Sequence, residues 1–394
     1  MHKLSIGDVD VKGIKVLIRV DFNVPLDKDG RITDDTRIRA ALPTIEYLLN
    51  NNAGVIIMSH LGRPKGEVRE DMRLTPVAKR LEELISRSVK KLDDCIGPEV
   101  EKAVNSMGPG EIILLENLRF HKEETDNDPE FANQLSKLGD IFVNDAFGTC
   151  HRAHASTEGV THHLKSVAGF LVQKEIEYFE GINSSPESPF VLILGGAKVV
   201  DKIPVIENML PKVDIILIGG AMAYTFLKQT GVDIGSSRYE DEMESIAKSI
   251  LKKANEMNVE LVLPIDHVVC DNLENPENIK TTEGADIEKP FMGVDIGPKT
   301  IEKFKSEVDV ARTVVWNGPM GIFERDEFAN GTRNVAEAIA ESSAISVIGG
   351  GDTAAAVKKF RLEDKISHIS TGGGASLEYM EGKILPGIAS LEDK

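Results

Sequence analysis

The feature that most constrains the fold is a regular order of short apolar run, turn and helical segment, repeated along the chain. The first half contains the β-branched runs KVLIRV, GVIIMS, EIILLE and DIFVND. The second half contains FVLILG, DIILIG, ELVLP, RTVVWN, AISVIG and SHIST. Runs of this length that alternate with segments of helical period predict a parallel α/β architecture, because successive parallel strands need a crossover connection.

The chain is long enough for two such sheets. A single core usually stops growing before a chain reaches 394 residues, so two domains are expected. A break falls at EYFEGINSSPESPF, where a helical stretch gives way to serines and prolines before a new strand begins at Phe190. We predict two doubly wound parallel-sheet (Rossmann-like) domains of similar size, joined by a helix and hinge. Their bounds are 1–169 for the N-terminal domain, 170–185 for the connecting helix and hinge, 186–379 for the C-terminal domain and 380–394 for a C-terminal tail.

Composition limits the partners and the compartment. The formal net charge of −18 argues against nucleic acid or an anionic membrane as the main partner, so any anionic ligand must be held by a local cluster of positive groups. No apolar run precedes a small-residue cleavage site near the start, and the longest apolar runs are shorter than a bilayer span. The three cysteines are widely separated, which suits reduced thiols. We therefore expect a soluble, cytoplasmic protein.

Polar and glycine-rich residues directly follow almost every predicted strand. In open parallel sheets the ligand crevice lies at the carboxyl ends of the strands, so each half is expected to carry its own site. Several guanidinium groups from different loops suggest a compact polyanion, since each fork of donors fits a carboxylate or phosphate. Asp21 either orients an arginine or accepts a hydrogen bond from a substrate hydroxyl. The first half offers Arg37, His60, Arg63, Arg119, His151, Arg152 and His154, with Asp21 and Asn23 as polar partners.

The motif GTCHRAHAS, residues 148–156, leaves three interpretations open for Cys150. A metal site would need a further ligand and a cation beside Arg152, and the spacing matches neither a paired Cys/His zinc pattern nor a CxxCH haem motif. A nucleophilic cysteine would have a histidine next to it in sequence, but nothing else marks an acyl-transfer site. We favour the third interpretation, in which Cys150 is a small buried side chain.

Three glycine-rich turns characterise the second half. The motifs ILGGAKVVDK, VIGGGDTAAAV and STGGGASLEYM each run from a strand through glycines into a helix start. Glycine lets the backbone approach a phosphate, and the free N–H groups of a helix N-terminus favour an anion. Because Lys198, Lys202 and Asp352 accompany these turns, we predict a nucleotide-phosphate site. Asp352 can hold a magnesium ion or act as a helix N-cap. The motif GxxxxGK[ST] is absent, and no GxGxxG follows the first strand of either half.

Together these motifs resemble the phosphoglycerate kinase family over essentially the whole chain. The resemblance implies an N-terminal domain that binds 3-phosphoglycerate, a C-terminal domain that binds MgATP or MgADP, and a tail that returns to the first domain. Two small departures, Cys150 in place of a common alanine and Val200 in place of a small residue, bear only on local packing. The motifs, in the family's order, are RVDFNVPL, SHLGRP, LLENLRFHKEE, FVNDAFGTCHRAHAS, LGGAKVVDKI, DIGPKT, WNGPMGIFE, GGGDTAAAV and STGGGASLEYMEGK.

The resemblance also implies roles for individual residues. Its substrate-binding positions are Asp21, Asn23, Arg37, His60, Arg63, Arg119, Arg152 and His154, the last of which supports the basic patch. Its nucleotide-binding positions are Lys198, Lys202, Gly293, Asn317, Glu324, Gly350, Gly351, Asp352 and Thr353, with Asp352 also on Mg²⁺. The catalytic candidates are Arg37, Lys198 and Gly373, with Lys198 as the lysine that neutralises the transferring phosphoryl group. Candidate hinges are the segment 170–181 and the glycines at 372–374.

The reaction implied is reversible phosphoryl transfer between ATP and the carboxylate of 3-phosphoglycerate, giving 1,3-bisphosphoglycerate and ADP in glycolysis and gluconeogenesis. Mg²⁺ is the expected cofactor, and the resemblance favours a monomer. A carboxylic acid is already ionised at neutral pH, so its attack needs no general base. The chemistry needs alignment, charge neutralisation and a domain closure that excludes water. Two rival functions lack their signatures here: a dehydrogenase needs a dinucleotide fingerprint, and a periplasmic-type binding protein needs a signal peptide.

Overall fold

The computed structural model describes residues 2–394, and its strands form three sheets within that range. The strands are β1 (Lys15–Val20), β2 (Gly54–Met58), β3 (Lys90–Lys91), β4 (Ile112–Leu114), β5 (Ile141–Asp145), β6 (Ser166–Ala168), β7 (Phe190–Leu194), β8 (Ile215–Ile218), β9 (Glu260–Val262), β10 (His267–Cys270), β11 (Ile279–Thr281), β12 (Met292–Ile296), β13 (Thr313–Asn317), β14 (Ile345–Gly349) and β15 (His368–Ile369). Each apolar run that the sequence predicts as a strand forms one, within two residues at either end.

Helices connect most successive strands of the two six-stranded sheets, as the period of the intervening segments predicts. They are α1 (Thr36–Asn50), α2 (Thr75–Ile85), α3 (Pro98–Asn105), α4 (Lys122–Asp126), α5 (Pro129–Ser136), α6 (Phe170–Ser184), α7 (Ile203–Met209), α8 (Met222–Gln229), α9 (Glu244–Glu256), α10 (Pro298–Val310), α11 (Asn330–Glu341), α12 (Gly351–Lys359), α13 (Gly374–Met380) and α14 (Pro386–Ala389). None of the helices in residues 2–394 combines the length and apolar character that crossing a bilayer requires.

The first sheet has six strands in the order β3-β4-β2-β1-β5-β6. All of its pairings are parallel, including those of the central strand β1 with β2 and β5. Every residue of β2 and β5 is buried, as expected for strands that helices cover on both faces. Side chains of β1 and β2 form one hydrophobic cluster with α1 and α2, including Ile18, Ile57, Ile45 and Leu81.

The second sheet repeats this architecture, with six parallel strands in the order β15-β14-β13-β7-β8-β9. Its central strands β7 and β13 are buried throughout. Trp316, which is fully buried, packs in a cluster with Phe304 of α10 and Val335 of α11. The predicted fold class, two doubly wound parallel-sheet domains, is therefore confirmed.

The third sheet is not predicted by the sequence. It has three antiparallel strands in the order β11-β10-β12 and lies between β9 and α10 in the chain. Its outer strand β11 is exposed along its length. This small sheet carries Gly293, one of the candidate nucleotide-binding residues, on β12.

The chain divides into two compact units, residues 2–177 together with Ile384–Lys394, and Tyr178–Lys383. The first division falls inside α6, so one helix belongs to both units. At its start, the buried carboxylate of Asp145, at the end of β5, accepts a hydrogen bond from the backbone N–H of Leu171 at 2.9 Å.

The C-terminal segment 384–394, which includes α14, belongs to the first unit. The N–H of Leu4 donates to the carbonyl oxygen of Glu392 at 2.8 Å, and the N–H of Glu392 donates to that of Ser166 at 3.0 Å. The side chains of Leu385, Ile388 and Leu391 are buried. The segment is therefore part of the first unit's core and not a loose end.

Candidate functional site

Each six-stranded sheet has one place where the strand order reverses. In the first sheet the chain moves outward from β1 and then returns to place β5 on the other side of β1. In the second sheet β13 returns to the other side of β7 in the same way. Loops that leave the carboxyl ends of two such strands diverge, which opens a crevice for a ligand. The candidate residues of each half lie in the loops around these two points.

The loop after β1 carries a carboxylate that contacts two basic candidates. The guanidinium of Arg37, at the start of α1, donates to Asp21 Oδ2 at 2.8 Å. The ring nitrogen Nδ1 of His60, in the loop after β2, lies 3.8 Å from Asp21 Oδ1. This hydrogen bond matches one of the two roles that the sequence left open, in which Asp21 orients an arginine.

Asn23 and Arg119 both bind the glycine turn after β2. The side-chain oxygen of Asn23 accepts a hydrogen bond from the N–H of Gly62 at 2.8 Å, and Arg119 donates to the carbonyl oxygen of Gly62 at 2.9 Å. The Nε of Arg119 is buried and has no hydrogen-bond partner among the described residues. Burial and the neighbouring Arg19 lower the pKa of Arg119 to about 10. The loops after β1, β2 and β4 thus converge on one basic region.

The GTCHRAHAS loop after β5 completes this region. Arg152 is exposed, and its Nε donates to Nε2 of His151 at 3.1 Å. His154 is buried, and burial together with the nearby Arg19, Arg119 and Arg152 lowers its pKa to about 4. Arg63 is exposed in the loop after β2. The exposed cations Arg63 and Arg152 are therefore accessible to a ligand, whereas the side chain of His154 is buried.

Cys150 has the surroundings of a packing residue. It is fully buried, its Sγ contacts the carbonyl oxygen of Ala146 at 3.4 Å, and its backbone oxygen accepts from the N–H of Gly387 at 2.9 Å. Burial raises the pKa of the thiol to about 12, which is the opposite of what a nucleophile needs. Cys150 belongs to no metal-binding group among residues 2–394. The favoured interpretation, a small buried side chain, fits this geometry.

The sequence missed the residue that connects these loops, Arg19 of β1. It is fully buried, yet it places a guanidinium at the next-to-last position of a largely apolar strand. Its Nε donates to Ser156 Oγ at 2.8 Å, one of its terminal nitrogens binds the carbonyl oxygen of Val20, and the other lies 3.0 Å from Nδ1 of His60. A charged residue in a run predicted to be wholly buried is itself a signal, because such a charge must have partners.

Arg19 fixes the protonation state of His60. A guanidinium can only donate, so Nδ1 of His60 must accept and the ring proton must lie on Nε2. Burial and the surrounding cations Arg19, Arg119 and Arg37 hold the pKa of His60 well below its usual value. His60 is therefore a neutral hydrogen-bond donor at pH 7 and not a positive charge.

A buried carboxylate, also missed by the sequence, closes the network. Glu124, fully buried in α4, accepts from the backbone N–H of Ser156 at 3.0 Å and from its hydroxyl at 2.7 Å. It lies 3.8 Å from Nδ1 of His154. The chain from His60 through Arg19 and Ser156 to Glu124 is buried throughout, so it holds the loops after β1, β2 and β5 in fixed register.

In the second unit, a cavity of about 420 Å³ lies at the ends of β7, β13 and β14. Glycine-rich turns form much of its wall, and Lys198 stands exposed at its edge. Asp201 also lines it, although the sequence did not single it out. The candidate residues that line this cavity are Lys198, Lys202, Asn317, Gly350, Gly351, Asp352, Thr353 and Gly373.

Lys202 and Asn317 form a buried pair inside this cavity. The Nζ of Lys202 donates to the side-chain oxygen of Asn317, whose Nδ2 is buried and without a hydrogen-bond partner among the described residues. Burial lowers the pKa of Lys202 to about 8, while Asp201 and Asp352 partly offset the effect. One unsatisfied amide donor and one poorly hydrated ammonium therefore face the same space, and both would gain from an anion.

The N-terminus of α12 also lines this cavity. Gly350 precedes the helix with φ +88°, a left-handed conformation that favours glycine, and a Cβ at this position would lie 3.3 Å from the side-chain amide of Asn317. The hydroxyl of Thr353 accepts from the N–H of Gly318 at 2.7 Å, which ties α12 to the loop after β13. Free N–H groups at such a helix start, with the helix dipole, attract phosphate.

The donor set of this cavity fits a magnesium ion carried by a nucleotide. Mg²⁺ prefers one or two carboxylates together with phosphate oxygens and water. Asp352, in the first turn of α12, is exposed to the cavity, and Asp201 lines the same space. Among residues 2–394, neither a thiol nor an imidazole lines the cavity, so these residues can hold a hard cation with oxygen ligands.

A second cavity of about 330 Å³ adjoins the first and shares Asp352 with it. Gly293 and Glu324 line it, as do Tyr224 and the buried Asp295. A Cβ on Gly293 would overlap the Tyr224 hydroxyl, so only glycine fits there. The wall is largely apolar, which suits the base and sugar of a nucleoside better than its phosphates. Tyr224 and Asp295 lie within secondary structure and gave no separate signal in the sequence.

Comparisons with known proteins agree on one family. A family model described as phosphoglycerate kinase matches residues 6–383. The phosphoglycerate kinase of Dictyoglomus turgidum is 57% identical over 394 residues, which covers 99% of this chain and 98% of that protein. That of Borrelia duttonii is 56% identical over 388 residues, covering 98% and 99%. The solved structure of phosphoglycerate kinase from Coxiella burnetii has a TM-score of 0.90 and 43% identity, with 98% of each chain covered.

Proposed function

The chain belongs to the phosphoglycerate kinase family, and we propose that its two strand-edge sites carry the two halves of the family's reaction. The chain is a phosphotransferase with a carboxyl group as acceptor. It transfers a phosphoryl group reversibly between ATP and 3-phosphoglycerate, with 1,3-bisphosphoglycerate and ADP as the other pair, in glycolysis. The assignment of the two sites rests on the contrast between the two points where the strand order reverses. The point in the first sheet is surrounded by basic and polar side chains. The point in the second sheet has a glycine-lined cavity next to a largely apolar one.

The basic region of the first unit binds 3-phosphoglycerate. Arg63, Arg119 and Arg152 supply charge from three different loops, and the free Nε of Arg119 is an unused donor. Neutral His60 offers Nε2–H to an oxygen of the acid. Arg37, held by Asp21 at 2.8 Å, is preorganised to meet the charge that develops on the phosphoryl group. Asn23 and His154 hold the surrounding loops.

The two cavities of the second unit bind the nucleotide. The apolar cavity with Gly293 and Glu324 accepts the adenosine, and the glycine-lined cavity accepts the phosphates. Lys202, Asn317 and the start of α12, Gly350 to Thr353, contact the phosphate oxygens. Asp352 holds Mg²⁺, which when bound offsets negative charge on the phosphates.

No general base is required in this mechanism. The attacking group is a carboxylate, which is ionised at neutral pH because a carboxylic acid has a pKa of about 4 or below. The protein aligns the nucleotide and the acid for in-line attack and neutralises negative charge on the phosphoryl group during its transfer. Lys198, exposed at the edge of the phosphate cavity, and Gly373, which lines that cavity, are the groups we assign to the moving phosphoryl group together with Arg37.

Transfer requires the two units to close, because the acid and the nucleotide bind to different units and water would hydrolyse the acyl phosphate. We assign the hinge to the segment 170–181 of α6 and to the glycines 372–374, of which Gly373 has φ +52°. Small-angle scattering tests this: the radius of gyration is expected to fall when both substrates are added and to change less with either alone. An equal change with nucleotide alone would contradict the assignment.

We also propose that the protein acts as a cytoplasmic monomer without nucleic-acid or membrane partners. A net charge of −18 disfavours polyanionic partners. None of the described helices could span a bilayer. Sedimentation at assay concentration tests the oligomeric state.

The deciding experiment for the reaction is ATP-dependent consumption of 3-phosphoglycerate, repeated with the magnesium chelated. We expect turnover that depends on both ATP and Mg²⁺. Turnover that persists without Mg²⁺ would contradict the role of Asp352.

Calorimetry with Arg152→Ala tests the placement of the acid. We expect weaker binding of 3-phosphoglycerate and unchanged binding of ADP, with the exposed Arg87→Ala of the same unit as the control. Weaker ADP binding together with unchanged binding of 3-phosphoglycerate would contradict the assignment of the GTCHRAHAS loop to the acid site.

A further inference from the structure

Three side chains of the first unit, outside both sites described above, bring three kinds of metal ligand together. Asp94 and Cys95 lie in the loop between β3 and α3, and His121 directly precedes α4. One ligand atom of each, a carboxylate oxygen, the thiol sulfur and a ring nitrogen, lies within 4.8 Å of the other two. Among residues 2–394, no other group of three or more such residues comes this close.

The surroundings fix the positions of these groups. Nε2 of His121 lies 2.7 Å from Asp94 Oδ1, and the N–H of Cys95 donates to the same oxygen at 2.7 Å. The imidazole packs against the buried ring of Phe131, with 5.3 Å between ring centroids. Two segments that are 26 residues apart in sequence are thereby held side by side, so the ligand atoms need no large rearrangement.

The cluster has one buried side and one open side. Cys95 is fully buried, whereas the side chains of Asp94 and His121 remain 54% and 27% exposed. A cation can therefore enter from solvent, meet the carboxylate first and reach the sulfur at the bottom. Water would supply the fourth ligand of such a cation, as in zinc sites with three protein ligands.

We propose that Cys95 Sγ, His121 Nε2 and a carboxylate oxygen of Asp94 bind a thiophilic divalent cation of the zinc class. Zinc bonds of about 2.0–2.3 Å in a tetrahedron place ligand atoms roughly 3.3–3.8 Å apart. The present separations, from 2.7 Å for the oxygen and nitrogen to at most 4.8 Å, bracket this range. Movements of about 1 Å or less bring all three ligands to bonding distance.

The charge and proton balance of this site is complete. On binding, the thiol of Cys95 gives its proton to the buffer. Nε2 of His121 donates to the Asp94 carboxylate in the unbound state, so it must also lose its proton: a doubly protonated ring releases it to the buffer, and a neutral ring carries its single proton on Nδ1 instead. One thiolate and one carboxylate then offset the charge of the divalent cation. Mg²⁺ is excluded because a hard cation prefers oxygen ligands. The bound cation would connect the loop before α3 to the segment that also carries Arg119.

Cadmium titration of the full chain tests the site. The protein is first treated with a chelator and then titrated with Cd²⁺ in the presence of excess Mg²⁺ and without nucleotide. Ultraviolet absorption from thiolate-to-metal charge transfer is followed, with Zn²⁺ as a competitor. We expect a band that saturates at one equivalent, is displaced by Zn²⁺ and is lost in Cys95→Ser. The matched control, Cys270→Ser, replaces an equally buried thiol of the second unit and is expected to keep the band.

A second variant guards against loss of folding in Cys95→Ser. His121→Gln alters a partly exposed side chain, and we expect at least tenfold weaker Cd²⁺ binding with an unchanged circular dichroism spectrum. The absence of a saturable band in the parent protein would overturn the proposal. A band that survives in Cys95→Ser, or one whose affinity is unaffected by His121→Gln, would also overturn it. The readout does not depend on kinase activity, so a failure of this proposal can be distinguished from a failure of the proposed function.

Discussion

At the scale of single residues, positive charges around the phosphate cavity are expected to govern the rate. Lys198 is exposed at the cavity edge and makes no ion pair among those found in the described residues. We expect Lys198→Ala to lower kcat by on the order of a hundredfold, the effect of removing one preorganised donor, with little change in either KM. A coupled assay measures this, and Lys248→Ala, another exposed lysine of the same unit, is the control. Near-normal turnover would remove Lys198 from the mechanism.

Lys202 is expected to make nucleotide binding sensitive to pH. Burial lowers its pKa to about 8, so the ammonium loses its proton in the free protein as the pH rises from 7 to 9. Only the charged form attracts phosphate, hence ADP affinity is expected to fall over this window by about tenfold, as for loss of a hydrogen bond to a charged group. Calorimetry at several pH values measures this. Lys202→Met is expected to bind ADP weakly at every pH, and a parallel slope in that variant would contradict the assignment.

Most candidate site residues that the sequence predicted follow strands, whereas Arg19 and Asp295, which it did not single out, lie inside strands. A residue after a strand end is recognisable because the ligand crevice lies at that edge. Arg19 and Asp295 belong to strands, and their importance depends on what lies above and below the sheet. Those contacts are made by residues that are distant in sequence, so no local sequence pattern predicts them. Only the anomaly of a charge in an apolar run marks Arg19.

At the scale of elements, the start of α6 depends on Asp145. This buried carboxylate accepts from the N–H of Leu171, and burial raises its pKa to about 7. In the unfolded chain the ordinary pKa is 3.8, so the folded state holds the proton more tightly. The stability from this group is therefore present below about pH 4 and is lost as the pH rises through about 7.

We expect Asp145→Asn to remove this pH dependence. Between pH 5 and 8 the free energy of unfolding of the parent protein is expected to fall by roughly 2–3 kcal/mol relative to the variant, since one pKa unit corresponds to about 1.4 kcal/mol. Denaturant titrations at both pH values measure the difference. Asp309→Asn, an exposed carboxylate on α10, is the control and is expected to follow the parent. Identical pH profiles for Asp145→Asn and the parent would disprove the shift.

Elements with strong periodicity were predictable and weakly patterned ones were not. The buried parallel strands are apolar on both faces, so each is a continuous run. The antiparallel sheet β11-β10-β12 consists of short strands, one of them exposed along its length, and no alternation separates it from a loop. β3, with two lysines, carries no apolar signal at all. These strands exist because a neighbour supplies their hydrogen bonds.

At the scale of the whole molecule, the last residues of the chain contribute to the stability of the first unit. Ile388 is buried in α14, whereas Ile384, four residues earlier, is 74% exposed. We expect Ile388→Ala to destabilise the protein by about 2–5 kcal/mol, the usual cost of a buried Ile to Ala change. Ile384→Ala, the matched control, is expected to stay within about 0.5 kcal/mol of the parent.

Two probes separate the units in this experiment. The only tryptophan of the chain, Trp316, lies in the second unit, so its fluorescence reports on that unit. Far-ultraviolet circular dichroism reports on both. We expect Ile388→Ala to lower the dichroism midpoint more than the fluorescence midpoint. Equal destabilisation by Ile384→Ala and Ile388→Ala would contradict the packing of this segment.

The order in which the segments are synthesised gives the C-terminal segment a further consequence. Residues 384–394 belong to the first unit but leave the ribosome after the whole of the second. When residues 2–177 of a nascent chain have emerged, Glu392, which forms backbone hydrogen bonds with Leu4 and Ser166, has not yet been made. The buried side chains of α14 are also still missing. The first unit is therefore completed last, and a message truncated near its end yields a chain whose defect lies in the unit that was made first.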